Sequence, residues 1–307
     1  MASYKLVTYQ SAKGPRAGVV IGETVYDAAE LVGRKSYATM LDILDDWRTA
    51  QGLLAKAAAK PPKKAKGRPL GRTKLLVPVM WPSAIYCAGA NYTDHVAEMA
   101  RAQNIEPEPD PHTLGLKPWH FIKATRAAVP TQTTVELPAY SKAVDWEVEL
   151  GAVIGRNAKD VPLEKALDVV AGYTIGNDLS ARDAGRRPHI RDTSPFKYDW
   201  LGQKCFDMSC PLGPWIVPAK EIKDPQKLAL KLWVNGVIKQ DSNTSEMIFT
   251  LAEQIAQLSS RMTLYPGDIV LTGTPAGVGA GRREFLKPGD TVKCWVEGVG
   301  ELVNKMA

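Results

Sequence analysis

A strand-like segment carries two carboxylates that a buried strand does not ordinarily tolerate. Glu147 and Glu149 alternate with apolar residues in the run Asp145-Trp146-Glu147-Val148-Glu149-Leu150. Because side chains two residues apart in a strand point to the same face, the two glutamates converge on one small volume. Two like charges held there repel each other and lose hydration, so they need a compensating cation. The alternative is an edge strand whose glutamates face solvent and discourage aggregation.

A third acid follows the next apolar segment. The run Val169-Val170-Ala171-Gly172-Tyr173-Thr174-Ile175-Gly176-Asn177-Asp178 predicts a strand that ends on Asp178. Three carboxylates with open positions suit magnesium, manganese or calcium, because these hard ions prefer oxygen ligands. Zinc fits less well, since the sequence has neither Cys-x-x-Cys nor His-Glu-x-x-His. The local alternative is that Asp178 caps a helix beginning at Leu179.

A histidine and a glutamate upstream have the spacing of neighbours on a helix. His95 and Glu98 are three residues apart, so a helix would bring both to one face, with Asn91 or Thr93 as its cap. A carboxylate beside a histidine fixes its tautomer and raises its basicity, which favours removal of a proton from water. The alternative is an ordinary exposed pair with no chemical role.

Several motifs, taken in chain order, resemble the fumarylacetoacetate hydrolase family. The resemblance runs from about Val77 to about Val303. Any one motif is weak, but six in the right order are specific. They are Gly89-Ala90-Asn91-Tyr92 with His95 and Glu98, Asp145-Trp146-Glu147-Val148-Glu149-Leu150, Gly176-Asn177-Asp178-Leu179-Ser180-Ala181-Arg182-Asp183, Gln203-Lys204-Cys205-Phe206-Asp207, Gly213-Pro214-Trp215-Ile216-Val217 and Thr272-Gly273-Thr274-Pro275-Ala276-Gly277-Val278-Gly279.

The resemblance implies a set of site residues. A magnesium or manganese site is expected at three acids, namely Glu147, Glu149 and Asp178. On a short mobile helix, His95 and Glu98 would form the dyad that activates water, and Lys204 would support the bound substrate. The residues that resemble substrate-pocket positions are Lys123, Arg182 and Thr274. Their local alternatives are a strand-end lysine, a surface charge and a turn hydroxyl.

The sequence also departs from the family pattern. Many relatives carry glutamine two positions after the Ala-Arg-Asp stretch, whereas here Ala184 and Gly185 follow Asp183. A basic segment, Arg186-Arg187-Pro188-His189-Ile190-Arg191, then intervenes. The departure affects the expected contacts to the distal part of the substrate, not the metal site.

The length of the chain and the distribution of its charge predict two domains. With 307 residues, of which 45% are hydrophobic, the chain can bury a large core. Residues 56–74 hold eight lysines and arginines and no acid. Of the 39 basic residues in the chain, 31 then remain against 33 acidic ones, so the net charge of +6 is a local feature and does not indicate a nucleic-acid binder. We expect a small α+β domain over residues 1–72, ending in this Ala/Lys/Pro linker, and a catalytic domain over residues 73–307.

Strand and turn signals dominate the second part, which predicts an α+β, β-rich fold with the mixed β-sandwich roll of the family. Residues 230–234 and 237–239 flank Asn235-Gly236 and predict a hairpin. A helix is expected over residues 245–260, and in the first part strands over 4–8 and 17–25 and a helix over 37–59. The glycines of residues 273–281 do not have dinucleotide-binding spacing, so we expect a tight turn that shapes a pocket wall.

These expectations converge on a hydrolase that cleaves a carbon–carbon bond in a 2,4-dioxo acid and releases pyruvate or a related keto acid plus a carboxylic acid. The dyad favours hydrolysis over decarboxylation or isomerisation of oxaloacetate-like or heptadienedioate-like acids, and a metal-free scaffold protein is the non-enzyme alternative. The resemblance implies a homodimer. Four cysteines without Cys-x-x-Cys, no signal-peptide core and no membrane-length apolar run predict a cytoplasmic protein without membrane contact.

Overall fold

A computed structural model of the chain describes residues 4–307, and strands make up most of its regular structure. The strands are β1 (Lys5–Ser11), β2 (Gly14–Ile21), β3 (Thr24–Asp27), β4 (Gly67–Pro69), β5 (Leu75–Leu76), β6 (Ile85–Ala88), β7 (His120–Lys123), β8 (Ala128–Val129), β9 (Thr134–Val135), β10 (Val144–Asp145), β11 (Val148–Ile154), β12 (Val170–Asn177), β13 (Ser180–Ala181), β14 (Cys210–Pro218), β15 (Ala229–Val234), β16 (Val237–Asn243), β17 (Ile269–Leu271), β18 (Thr291–Val296) and β19 (Gly300–Met306). The α-helices are α1 (Ala28–Val32), α2 (Met40–Asp45), α3 (Trp47–Ala59), α4 (Thr93–Gln103), α5 (Trp200–Lys204), α6 (Leu251–Arg261) and α7 (Gly279–Arg282).

The strands form one large sheet, a five-stranded sheet and a small ladder. The large sheet runs β4-β3-β2-β1-β14-β12-β11-β17-β6-β7, with β5 beside β1 and β8 beside β14. The second sheet runs β16-β15-β18-β19-β9, and β10 pairs with β13. Most neighbours are antiparallel, as hairpin-connected strands are. The prediction of a strand-rich α+β fold is confirmed.

Strand β11 lies in the interior of the large sheet. It pairs with β12 on one side and β17 on the other, so it is not an edge strand. All seven of its residues are buried. The alternative in which Glu149 faces solvent from a sheet edge is therefore wrong, and the carboxylate sits inside the protein.

The predicted hairpin is confirmed, because Asn235 and Gly236 adopt φ values of 52° and 79° between β15 and β16. Positive φ at both positions is the two-residue turn that matches the strand twist. The helix expected over 245–260 starts later than predicted, at Leu251. Thr250 and Glu253 form a capping box that fixes this start, whereas Thr244–Glu246 is only a 3-10 turn.

Two helix predictions differ from the structure, one for residues 37–59 and one for the start of α4. The first of these segments is interrupted at Asp46, which ends α2 and precedes α3. The capping prediction for α4 is wrong: Tyr92 is the N-cap residue, and the Asn91 amide instead donates to the carbonyls of Phe249 and Thr272. Asn91 therefore ties the start of α4 to two distant segments.

The N-terminal strands continue the same sheet that carries the acidic residues. Strand β1 pairs with β14 through Leu6 and Ile216, and the end of the basic linker becomes β4, which pairs with β3. The division near residue 72 stays a prediction. In residues 4–307 no helix has both the length and the apolar character that crossing a membrane requires.

Candidate metal centre and active site

The three predicted acids meet where β11 and β12 pair. Glu147 precedes β11, Glu149 lies within it, and Asp178 follows β12, whose Asn177 is opposite Val148. The Asp178 N–H donates to the Glu147 carbonyl at 2.9 Å, and this bond joins the start of β11 to the end of β12 at what we call the β11–β12 corner. One carboxylate oxygen of each acid lies within 4.8 Å of the others, and the residues are 5%, 1% and 0% exposed. The structure thus brings together the cluster that strand spacing predicts.

Two lysines contact this cluster from different elements. Lys204, at the end of α5, donates to Glu147 Oε2 at 2.9 Å and to Asp178 Oδ2 at 2.7 Å. Lys123, at the end of β7, donates to Asp178 Oδ1 at 2.5 Å and to the Leu179 carbonyl at 3.1 Å. Asp178 therefore receives two ammonium groups. The helix-cap alternative for it is wrong, because Ser180–Ala181 forms β13 and no helix begins at Leu179.

Arg182 holds a fourth acid beside the cluster. Its Nε donates to Asp145 Oδ2 at 2.9 Å and its Nη2 to Glu147 Oε1 at 2.5 Å. Burial opposes ionisation of Glu147, but Lys204 and Arg182 outweigh it and lower its pKa to about 2. Burial likewise disfavours charge on Lys204, yet Asp178 and Glu147 hold its pKa above the usual value. Glu147 and Lys204 are thus a charged pair.

Glu149 differs from the other two acids. In residues 4–307 it has no lysine or arginine within ion-pair distance, and its carboxylate accepts a hydrogen bond from the Gly273 N–H at 2.8 Å. Burial, reinforced by repulsion from Asp178 and Glu147, raises its pKa well above the usual value. A buried carboxylate left short of positive charge is the condition that a bound cation relieves.

The cluster therefore fits a hard divalent ion. Each carboxylate offers about four lone-pair sites, so the lysine and backbone hydrogen bonds leave oxygen positions for a metal. All three ligand groups are oxygens, which magnesium, manganese and calcium prefer. The residues that can hold such an ion are Glu147, Glu149 and Asp178.

His95 and Glu98 share one face of α4, as their spacing predicts. The nearest atoms, His95 Nδ1 and Glu98 Oε2, are 3.8 Å apart, and the side chains are 13% and 15% exposed. His95 Nδ1 is buried and has no hydrogen-bond partner, whereas Glu98 Oε2 accepts from the Gly277 N–H at 2.9 Å. Burial raises the pKa of Glu98, but His95 and the Gly277 N–H outweigh it and leave that pKa below its usual value.

The glycine-rich segment of residues 273–281 is a row of backbone donors to acids. Gly273 N donates to Glu149, Gly277 N to Glu98, and Gly279 N to Asp145 Oδ1 at 2.6 Å. Gly273 and Gly277 have φ values of 93° and 101°, which only glycine adopts readily. Of this segment, Thr274 lines the cleft and Gly279 begins α7, so the predicted tight turn is only partly observed. Its backbone also links the metal cluster to the histidine helix.

A cleft of about 180 Å³ joins these groups. Its lining contains His95, Glu147, Glu149, Arg182, Lys204, Thr274, Gln203, Trp119, Phe121 and Trp200, together with residues 88–90. Lys123 is fully buried behind Asp178 and is not part of this lining. The Thr274 hydroxyl donates to the Val148 carbonyl at 2.9 Å and accepts from Gln240 at the same distance. Direct substrate contacts of Lys123 and Thr274 stay predictions.

Sequence reasoning missed the aromatic side of the cleft. Trp200 stacks on Phe121 with ring centroids 5.7 Å apart and meets Trp119 edge-on at the same separation. Lys204 Nζ lies 5.0 Å from the centre of the Phe121 ring. Trp200 and Lys204 are four residues apart, a helical spacing that signals a shared face. No comparable signal in the sequence pointed to Trp119 or Phe121.

Comparison with known proteins identifies a family and several relatives. Residues 84–307 match the family model described as fumarylacetoacetate (FAA) hydrolase, C-terminal. The human mitochondrial oxaloacetate tautomerase FAHD2B is 41% identical over 240 residues, which cover 78% of this chain and 71% of that protein.

Two solved structures share the fold over nearly the whole chain. Maleylpyruvate hydrolase from Sphingobium sp. SYK-6, in complex with a manganese(II) ion and pyruvate, has 30% identity and a TM-score of 0.75, covering 99% of this chain and 98% of that one. The 2-hydroxyhepta-2,4-diene-1,7-dioate isomerase from Mycobacterium marinum has 32% identity and a TM-score of 0.71 with the same coverage. With the family model matching most of its length, the chain belongs to the fumarylacetoacetate hydrolase family.

Proposed function

We propose that this protein is a divalent-metal-dependent enzyme that interconverts the keto and enol forms of oxaloacetate or a similar four-carbon 2-oxo acid. The observation that carries the proposal is a buried acid triad, two of whose members, Glu147 and Glu149, line one small cleft together with His95. The relative named oxaloacetate tautomerase supports the choice of reaction. The cleft volume of about 180 Å³ is below the range usual for larger ligands and suits a small acid.

Positive charge is the first requirement of this chemistry. When bound at Glu147, Glu149 and Asp178, magnesium or manganese would supply an electrophile for the oxygens of the 2-oxo acid and would stabilise enolate charge. Lys204 adds fixed positive charge at the same place, since its ammonium group is held by two of the three acids. Because these groups are nearly inaccessible to solvent, such preorganised charge stabilises a developing oxyanion more strongly than solvent does.

Proton transfer is the second requirement. His95 would remove a proton from carbon 3 of the keto form as the carbonyl oxygen at carbon 2 gains charge. Water would then protonate that oxygen to give the enol, and His95 would return its proton to solvent. Glu98, fixed by the Gly277 N–H, lies on the Nδ1 side of the ring and leaves Nε2 for the substrate. The dyad that sequence reasoning assigned to water activation serves proton removal from carbon equally well, so it does not by itself favour hydrolysis.

The test is the rate of keto–enol exchange of fresh oxaloacetate, followed by the enol absorbance and by deuterium uptake at carbon 3. We expect acceleration with magnesium or manganese and its loss with a chelator. Acceleration that persists in chelator would contradict the metal-dependent proposal. A calorimetric titration showing no binding of either ion would favour the metal-free scaffold alternative.

Hydrolysis of an acylpyruvate is the second candidate, and one observation favours it. The cleft shares Gly89, Ala90 and Trp119 with a larger neighbouring cavity of about 560 Å³, which offers room for a longer distal group. The structural relative named maleylpyruvate hydrolase belongs to this class. Release of pyruvate together with a second carboxylic acid from an acylpyruvate would identify a hydrolase. Release of pyruvate and carbon dioxide from oxaloacetate would identify a decarboxylase.

Assembly and location are further proposals. The homodimer is an expectation from the family and is tested by the molecular mass in solution. The cytoplasmic location rests on the sequence, while FAHD2B is named as a mitochondrial protein. Fractionation of the source cells distinguishes the two compartments.

A further inference from the structure

Helix α5 presents Gln203 to the cleft beside the acid triad. Gln203 and Lys204 follow Trp200 by three and four residues, so all three lie on one helical face. All three also line the cleft. Lys204 anchors that face through Glu147 and Asp178. The side chain of Gln203 is thus held one residue away from the group that contacts two of the three acids.

The amide of Gln203 is free to bind a ligand. Its backbone N–H donates to the Asp199 carbonyl at 3.1 Å, but in residues 4–307 its half-buried side chain has no hydrogen-bond partner. A glutamine amide offers two donors and an acceptor oxygen. The charged neighbours are already committed, since Arg182 and Lys204 each pair with two carboxylates.

The position of Gln203 depends on a glycine. A Cβ added at Gly185 would lie 2.2 Å from Gln203 Oε1 and 2.5 Å from its Cδ, so a larger residue would displace the amide. The Gly185 carbonyl also accepts from the Asp199 N–H at 3.0 Å, which joins this segment to the start of α5. Gly185 lies where the sequence departs from the family pattern, and here it leaves the space that the Gln203 amide occupies.

The triad and the Gln203 amide would contact opposite ends of a substrate. The 2-oxo acid end is assigned to the triad, so the distal end must meet the remaining cleft wall. An uncharged amide can donate to a carboxylate or carbonyl oxygen but gains nothing from an alkyl group. We propose that Gln203, positioned by Gly185, selects 2-oxo acids that carry an oxygen-bearing group at carbon 4. The inference rests on the proposed function and adds the distal requirement to it.

The experiment compares two acids that share the 2-oxo end. Oxaloacetate has a carboxylate at carbon 4, and 2-oxobutanoate has a methyl group there. Dissociation constants are measured calorimetrically at low temperature, with magnesium and freshly dissolved acid, for the full chain and three variants: Gln203→Leu, Gly185→Ala and the double variant. Gln203→Leu keeps the size of the side chain and removes its hydrogen bonds.

We expect Gln203→Leu to weaken oxaloacetate binding about tenfold, the effect of one lost hydrogen bond, with 2-oxobutanoate changed less than about twofold. Gly185→Ala should act in the same direction, because its Cβ displaces Oε1. In the double variant the second substitution should add nothing, since both act through one amide.

Three results would overturn the inference: equal weakening for both acids, no change for either, or additive effects in the double variant. Binding of neither acid by the unmodified protein would overturn it as well. Selective binding without keto–enol exchange would leave the role of Gln203 standing and remove the proposed reaction instead. The two failures are therefore distinguishable.

Discussion

The two sides of the cleft are built differently. On the acid side, Glu147, Glu149 and Asp178 are nearly inaccessible, and strand pairing, two lysines, Arg182 and the Gly273 N–H fix their carboxylates. On the helix side, His95 and Glu98 are partly exposed, and their nearest atoms are 3.8 Å apart, beyond a hydrogen bond.

This difference indicates that the acid side holds the metal ion and that the helix side carries out the proton transfer. The acid side is preorganised, as a site for a fixed ion must be, because its geometry is set before any ligand arrives. The helix side has an unsatisfied His95 Nδ1, and hydrogen bonds of catalytic groups often shorten only when substrate is bound. We therefore expect substitutions on the two sides to affect different quantities.

Replacing Glu149 should give the largest effect. Glu149→Gln keeps the acceptor for the Gly273 N–H and removes one oxygen charge from the triad. Since loss of even an indirect metal contact costs 10- to 100-fold in affinity, we expect manganese to bind at least about 100-fold more weakly, with turnover lost. Without metal the variant should melt at a higher temperature, because a neutral amide avoids the cost of burying a carboxylate there and the repulsion from Asp178 and Glu147.

Exposed Glu136 supplies the matched control for this variant, since Glu136→Gln removes the same charge at a residue outside both the triad and the cleft lining. Calorimetric titration of both variants with manganese decides the question. Equal manganese affinity in Glu149→Gln and Glu136→Gln would remove Glu149 from the metal site.

Replacing His95 should give the next effect and affect only the reaction. General acid–base groups contribute about 10²- to 10⁴-fold, so His95→Asn should lower kcat by that range. Manganese affinity should stay within about twofold, because the acid triad is unaltered. A parallel loss of manganese binding would show that the two sides are not independent.

A smaller effect is expected from Gly281→Ala. The added Cβ would lie 2.9 Å from Glu98 Cδ and 3.0 Å from Oε1, so the carboxylate must shift away from its place beside His95. We expect kcat to fall about tenfold or less and manganese affinity to be unchanged. Gly52→Ala is the control, because nothing lies within 4 Å of its added Cβ. Identical kcat in the two variants would exclude a positioning role for Glu98.

The smallest effect concerns stability at low pH. Burial lowers the pKa of His120, at the start of β7, to about 4. The unfolded chain therefore binds this proton from about pH 6.5 downward while the folded protein does not, so stability falls as pH drops from 6.5 to 4. The loss is at most about 3 kcal/mol.

Urea unfolding at several pH values tests this prediction. Between pH 7 and pH 4.5, His120→Gln should lose less unfolding free energy than the unmodified protein does. Since carboxylates titrate identically in both proteins, their contributions cancel in the difference. Parallel pH dependences would show that His120 is not buried in its neutral form.

Local spacing in the sequence was enough to predict the core of the site. Glu147 and Glu149 are one strand period apart, and His95 and Glu98 are neighbours on a helix, so backbone geometry alone places each pair. Asp178 followed from the end of the paired strand. The structure places all five as these periods require.

Contacts between distant segments could not be predicted in this way. Lys123 meets Asp178 across 55 positions of sequence, and Gly273 meets Glu149 across 124. Trp119 and Gln203 both line the cleft because Trp119 and Phe121 pack on Trp200 of α5, a contact that no local pattern encodes. The start of α6 shows the same limit: apolar spacing predicted a longer helix, while the Thr250–Glu253 capping box decides where it begins.

The central claim is that three carboxylates at the β11–β12 corner hold one divalent ion. The most direct measurement is anomalous diffraction at the manganese edge from crystals soaked in manganese. We predict a single strong peak bounded by the carboxylates of Glu147, Glu149 and Asp178, and none there in crystals of Glu149→Gln. No peak between these acids at saturating manganese, or a strong peak elsewhere alone, would contradict the account.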